Sequence, residues 1–194
     1  MIFQQREIER LLSEEPLGEA DLGEGMKAIL SPALVSYERL PMLDVVFERL
    51  ADRLDPALRR FTGGAVEVRL EKIASARFAS HMGSLPLSSL MGVVKATEWH
   101  NQILATFERD LVFAALDALL GGGQAGGRVP AEGRRYTSIE QNLMRRVLQV
   151  VLDELAGAFA PLTEVAFQCQ RIECNPRFAS IARDVHATVE VTLK

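Results

Sequence analysis

Two cysteines (Cys169, Cys174), three histidines (His81, His100, His186) and a glycine-rich run, GGGQAGGRVPAEG over residues 121–133, are the features of this 194-residue chain with the most chemical potential. Two cysteines make a zinc site only with His ligands nearby at the right spacing. The histidines are scattered, so the two cysteines make no such site. Cys169 shares an alternating strand face with Val165 and Phe167 and reads as a buried thiol, while Cys174 falls in a loop. A hydrolase needs a nucleophile with a base, or two carboxylates in a cleft. Asp44 and Glu48 stand one helical turn apart, as acids on a solvated helix face commonly do, and no GxSxG or HExxH occurs. The glycine run lacks the GxxxxGK[ST] order, and a further stretch of loop separates it from the next helix. It therefore offers no helix N-terminus to a phosphate. These residues imply no metal and no cofactor.

The elements around them show a duplication. VEVRLEKIASARFAS (66–80) aligns with VAFQCQRIECNPRFAS (165–180), each behind an amphipathic helix, with one extra residue in the second copy. The pattern predicts a repeated helix–strand–loop–strand unit. The first helix starts at Pro41, carries an apolar stripe of Leu43, Val46, Phe47, Leu50 and Leu54, meets a possible bend at Asp55-Pro56 and ends at Thr62-Gly63-Gly64. Val66, Val68 and Leu70 alternate with Glu67 and Arg69 as a half-buried strand. Residues 91–97 and 102–108 read as a hairpin, and Asp110 as the cap of a short helix over 111–120. Thr137 and Glu140 form a capping box for a second long helix, with Ile139, Leu143, Val147, Val150 and Val151 as its buried stripe. Val185, Ala187, Val189, Val191 and Leu193 make a last strand, with His186, Thr188, Glu190 and Thr192 on a solvated face. The second copy has no counterpart to the hairpin strand and helix of the first. Either the chain is a fragment or another segment covers that edge. The fold class is α/β of the α+β kind, a pseudo-twofold duplicated domain in which two long helices pack on antiparallel sheets.

Hydrophobic residues make up 48% of the chain, enough for one sizeable core. No apolar run reaches the roughly 18 residues that span a bilayer, and the charged N-terminus is not a secretory signal, so a cytosolic chain is expected. Residues 1–32 carry the whole formal net charge of −4; the rest is balanced. With no basic stripe, nucleic acid is an unsuitable partner. The acidic part suits a basic partner surface. Residues 1–13 form an N-terminal segment, 14–39 an acidic linker containing Pro16, Gly18, Gly23, Gly25 and Pro32, and 40–194 the body. Within residues 3–13, Ile8, Leu11 and Leu12 have helical spacing. The segment is either a frayed terminus or a linear motif that folds into a partner groove; a tether beside it favours the motif. Likewise the 121–133 loop is either a plain inter-repeat connection or a surface contact loop.

LPMLDVVFERLADRL, ALDALLGG, EGRRYTSIEQNLMRRVLQVVLDEL and ECNPRFASIA together resemble the middle domain of the FliM family of flagellar motor switch proteins. FQQREIERLL is similar to the family's LSQxEIDxLL segment, which binds the phosphorylated response regulator CheY. Gln5, Glu7, Ile8, Leu11 and Leu12 match it, Phe3 and Glu9 depart conservatively, and Gln4 departs. The resemblance implies a fold like the CheC-type phosphatases and a non-enzymatic role in the rotor switch. It implies CheY binding through Phe3, Gln5, Glu7, Ile8, Glu9, Leu11 and Leu12. It implies binding of the rotor protein FliG through a GGxxG loop. Gly122-Gly123-Gln124-Ala125-Gly126 has that spacing, while alignment through LLGG starts the motif at Gly121, so Gly121, Gly122, Gly123 and Gly126 are the expected contacts. Neighbouring FliM copies packed side by side, and FliN through a C-terminal domain, are further implied partners, at the inner-membrane basal body without membrane insertion. Against the family pattern the linker is short, and the FliN-like domain and the end of the second repeat are absent, as in a truncated or edited FliM.

The alternative is a CheC-like phosphatase of CheY. In that sister family a Glu and an Asn three residues on position the attacking water. Here Glu48 is followed by Ala51 at that offset and Glu154 by Gly157; Glu140 and Asn142 are two apart and face different sides of a helix.

Overall fold

A computed structural model of the chain describes residues 2–4, 41–86, 89–120 and 134–194. The described elements, in chain order, are β1 (Ile2–Gln4), α1 (Pro41–Thr62), β2 (Leu70–Arg77), α2 (Phe78–Ser84), β3 (Leu90–Ala96), β4 (Asn101–Phe107), α3 (Arg109–Leu120), α4 (Ser138–Phe159), β5 (Phe167–Glu173), a 3-10 turn (Pro176–Phe178) and β6 (Ala187–Leu193).

Six strands form one sheet in the order β2-β6-β1-β4-β3-β5, with every pairing antiparallel. The order reads symmetrically about its centre. A twofold exchanges β2 with β5, β6 with β3 and β1 with β4, and it relates α1 to α4, each 22 residues long. The duplication in the sequence is therefore a duplication in space. In this order β1 lies between β6 and β4.

α1 and α4 pack against each other and cover one face of the sheet. Val46, Phe47, Leu50 and Leu54 of α1 meet Met144, Leu148, Leu152 and Leu155 of α4 over Val94, Ile103, Ala105, Val189 and Val191. The period of two in the strands aims these residues at the helices. The opposite face is partly covered by a smaller cluster, Phe78, Met91, Val93, Leu104 and Ala179. Trp99, in the turn between β3 and β4, lies edge-on to Phe159 at 5.1 Å and to Phe167 at 5.5 Å. That turn is closed by His100, which adopts φ 51°.

Local chemistry sets the helix ends. Gly63 has φ 71° and its N–H donates to Arg59 O at 2.9 Å, a left-handed stop for α1 that glycine adopts without strain. Pro56 does not break α1. Instead the Asp55 carboxylate accepts from Val68 N at 2.6 Å and from Arg59 at 3.3 Å, which ties α1 to the approach of β2. The capping box of α4 is present: Glu140 N donates to Thr137 Oγ1 at 3.3 Å, and Thr137 N donates to the Glu140 carboxylate at 2.6 Å.

Several expectations are corrected. β2 begins at Leu70, not Val66, because its ladder with β6 starts where Arg69 and Lys194 exchange hydrogen bonds. No loop precedes the first RFAS; β2 runs to Arg77 and Phe78 opens α2. In the second copy Asn175-Pro176 ends the strand instead, since proline cannot donate to a ladder. Phe78 is consequently buried, whereas Phe178 is 66% exposed and Ala179 takes the buried position. Ile139 is 67% exposed; the buried stripe of α4 is centred on Met144, Leu148, Leu152 and Leu155. α3 starts at Arg109, so Asp110 lies in its first turn and does not precede it. The polar face of β6 is not simply solvated: Thr188 is 1% exposed and donates to Ala76 O at 2.9 Å, and Glu190 meets His81 of α2 at 2.9 Å. Residues 3 and 4 belong to a strand, not to a helix over 3–13.

Candidate interaction site

The two unduplicated parts of the chain, the N-terminal segment and the inter-repeat loop, are the parts whose function the sequence singles out. Of the N-terminal candidates only Phe3 is within the described residues. Its backbone pairs with Val189 of β6, next to Ile2 opposite both Glu190 and Leu104. Gln5, Glu7, Ile8, Glu9, Leu11 and Leu12 lie outside the described residues, as do Gly121, Gly122, Gly123 and Gly126.

Residues 134–136, which follow the inter-repeat loop, are held on the first half of α3 by side chains the sequence reading passed over. Phe113 of α3 stacks on Tyr136 with ring centres 5.9 Å apart and planes 29° apart. The guanidinium carbons of Arg109 and Arg134 lie 5.2 and 5.5 Å from the Phe113 ring centre. Cations over a ring face are attracted by its quadrupole. Arg134 also pairs with Glu140, the capping residue of α4. Burial alone raises the Glu140 carboxyl pKa, but the hydrogen bonds from Arg134 and Thr137 outweigh it and hold the pKa below the usual range. Tyr136 is almost fully buried; burial raises its phenol pKa despite nearby Arg109, and its hydroxyl has no hydrogen-bond partner among the described residues. The cluster joins the approach to α4 to the first half of α3. Its signal in the sequence was the aromatic and arginine content of RRYTSIE, which is overshadowed there by the capping box. Leu120 and Ile139, close to the two ends of the loop in sequence, are 69% and 67% exposed. Apolar side chains beside a contact loop can add buried area in a complex.

The two cysteines are half-buried, and burial raises both thiol pKa values, so neither is an activated nucleophile. Among the described residues no group of three His, Cys, Asp or Glu side chains could hold a metal ion, and no helix is long and apolar enough to cross a membrane.

At Glu154 and Gly157, one of the pairs of positions weighed above for a phosphatase, the structure shows an ion pair between the two long helices. Arg53 of α1 pairs with Glu154 of α4 at 2.8 Å. Its guanidinium rests over Gly157, where a Cβ would lie 2.8 Å from Arg53 Cζ and 3.1 Å from Nε. The glycine makes room for the ion pair, and the ion pair occupies the Glu154 carboxylate. Glu48 is solvent-exposed, with Ala51 buried at the partner position.

A family model described as flagellar motor switch protein FliM matches residues 36–194. The chain belongs to the FliM family. FliM of Caulobacter vibrioides is 44% identical over 194 residues, covering all of this chain and 52% of that protein. The chain thus spans about half the length of this curated relative. Among solved structures, the FliM middle domain of Vibrio alginolyticus superimposes with a TM-score of 0.69 at 22% identity, covering 79% of this chain and 84% of that one. A FliG–FliM complex from H. pylori contains a chain that superimposes with a TM-score of 0.74 at 21% identity, covering 82% and 86%. At these identities the structures show the fold, and it is that of a FliM middle domain.

Proposed function

We propose that this chain is a non-enzymatic component of the bacterial flagellar motor switch, the C-ring of the basal body, acting in chemotaxis. Phosphorylated CheY docks on the N-terminal segment through Phe3, Gln5, Glu7, Ile8, Glu9, Leu11 and Leu12. FliG docks on the inter-repeat loop at Gly121, Gly122, Gly123 and Gly126. Neighbouring FliM copies pack beside the body, and FliN joins the assembly. The observation that carries this reading is family membership over residues 36–194. It is supported by the FliM of H. pylori having been crystallised with FliG, and by the match of the N-terminal segment to the CheY-binding pattern.

Switching needs a ligand that binds two rotor states unequally. In this reading Ile8, Leu11 and Leu12 enter an apolar groove of CheY while Glu7 and Glu9 meet basic residues. Coupling to FliG then runs through the body, where Phe113 of α3 stacks on Tyr136 and faces Arg134, the residue that follows the loop. The phosphatase reading is disfavoured by the Arg53–Glu154 ion pair and by Gly157, which leave no paired groups to position a water. Calorimetric titration with phosphorylated CheY tests the docking: replacing Leu11 and Leu12 by Ala should weaken binding at least about tenfold with the body still folded. Unchanged affinity would exclude these residues as the docking site.

A further inference from the structure

The two outer strands of the described sheet, β2 and β5, are interrupted at the same place in the duplication. In β2, Leu70 faces Leu193 and Lys72 faces Thr192, so Glu71 is an extra residue in the ladder with β6. In β5, Arg171 faces Val93 and Cys169 faces Val94, so Gln170 is an extra residue in the ladder with β3. Aligning the repeats from Val66 and Val165 puts Glu71 on Gln170, Lys72 on Arg171 and Ile73 on Ile172. Each interruption is a β-bulge, in which two residues oppose one and the strand bends and twists. Glu71, Lys72 and Gln170 are exposed, while Leu70, Ile73, Cys169 and Ile172 pack on the core. Dropping either extra residue would keep its neighbours on their present faces, so core packing does not require the bulges. Gln170 is also held against its own sheet, since its side-chain oxygen accepts from Gln102 Nε2 of β4 at 3.0 Å.

We propose that the two sheet edges are complementary strand-pairing surfaces for a second copy of this chain, and that the paired bulges keep them from joining. This rests on the reading that FliM copies lie side by side, which holds the edges of neighbours at high local concentration. Every pairing in the six-stranded sheet is antiparallel, so β2 and β5 run in opposite directions. β5 of one copy beside β2 of the next would therefore continue the antiparallel sheet without a break, and the new copy would again offer a free edge. A head-to-tail contact of this kind runs on until a ring closes or a fibre forms. Charge does little to prevent it: Ala74, Ser75 and Ala76 fill the middle of β2, and Phe167, Gln168, Cys169 and Gln170 of β5 are uncharged. A bulge instead bends the edge out of the register an incoming strand needs. Neighbouring copies are then left to meet through side chains and not through a shared backbone ladder.

Deleting Glu71, Gln170 or both makes the ladders regular. The test compares the wild type, the two single deletions and the double deletion by sedimentation over a concentration series, and follows backbone amide exchange in Leu70–Arg77 and Phe167–Glu173. The guard predicts that the double deletion forms assemblies that lengthen with concentration and protect these amides, while each single deletion, with one opened edge, stops at pairs. A double deletion that keeps a cooperative urea transition and sediments as the wild type does overturns the proposal, as do single deletions that lengthen like the double one. If the deletions do not fold, the wild type decides: edge amides whose exchange is independent of concentration support the guard, and edge amides that gain protection with concentration overturn it. Chemical cross-linking of the wild type scores the side-by-side reading separately. Failure to cross-link copies removes that reading, and the deletions still decide the guard.

Discussion

Gly92 is the residue at which the sheet and α4 come closest. It lies in the middle of β3 on the face toward α4, and a Cβ built there would overlap Leu148 Cδ2 outright, with Leu148 Cγ at 3.7 Å and Ile172 Cδ1 at 3.6 Å. Leu148 is 1% exposed, so any swing of its side chain takes place inside the core. Gly92→Ala therefore forces an off-rotamer leucine or a shift of α4, which costs about 1–3 kcal/mol. The gain from replacing a strand glycine offsets roughly 0.5–1 kcal/mol of this. The net loss is centred on about 1 kcal/mol, with an upper end of about 2.5 kcal/mol. Urea unfolding followed by the fluorescence of Trp99, the single tryptophan, measures it. With a slope of about 2 kcal/mol/M the midpoint should fall by about 0.5–1 M. Leu148→Ala alone should cost about 2–5 kcal/mol. The double variant should be more stable than the sum of the two losses by about 1 kcal/mol, since the added methyl then enters a void. An unchanged or raised midpoint for Gly92→Ala, or strict additivity in the double variant, would refute the claim that this glycine sets the helix–sheet distance.

Phe159→Ala removes a ring in edge contact with Phe47 and Trp99; it should cost about 3–5 kcal/mol in the same unfolding assay and shift the Trp99 emission to the red. Glu140 contributes a pH dependence of known sign. Its pKa is lowered in the folded chain, so its contribution is full above the unfolded value of about 4.3 and is lost as pH falls through the folded value. Melting temperatures from pH 7 to pH 3 should therefore fall more steeply for the wild type than for Glu140→Gln, and parallel curves would contradict this.

Periodicity and capping chemistry made the two long helices legible in the sequence, because each has one dominant buried face; the β3–β4 hairpin was legible from its two apolar runs around a polar turn, although β3 is buried on both faces. The RFAS repeat located the two halves. It misled about local detail, since Asn175-Pro176 ends one strand while Ala74, Ser75 and Ala76 continue the other, and the same Phe is buried once and exposed once. Ile139 was misplaced because the capping turn of α4 precedes the register in which Met144 and Leu148 face the sheet. The open edge read in the sequence did not reveal a place at the sheet centre, between β6 and β4. That follows only from the three-dimensional twofold, as does its occupation by Ile2–Gln4. The Phe113–Tyr136–Arg134 base of the loop joins residues more than 20 positions apart, and no local pattern announces such a contact. The docking motif and the glycine loop came from family resemblance, not from physical chemistry, which left both open.

Capture of purified FliG by this chain tests the central claim most directly. The measurement compares the wild type with a variant in which Gly121, Gly122, Gly123 and Gly126 are all replaced by alanine, each shown to be folded by its cooperative urea transition. The account predicts that the wild type retains FliG and that the variant loses it. A folded wild-type chain that fails to capture FliG would contradict the account, and capture undiminished in the variant would move the FliG site off the loop.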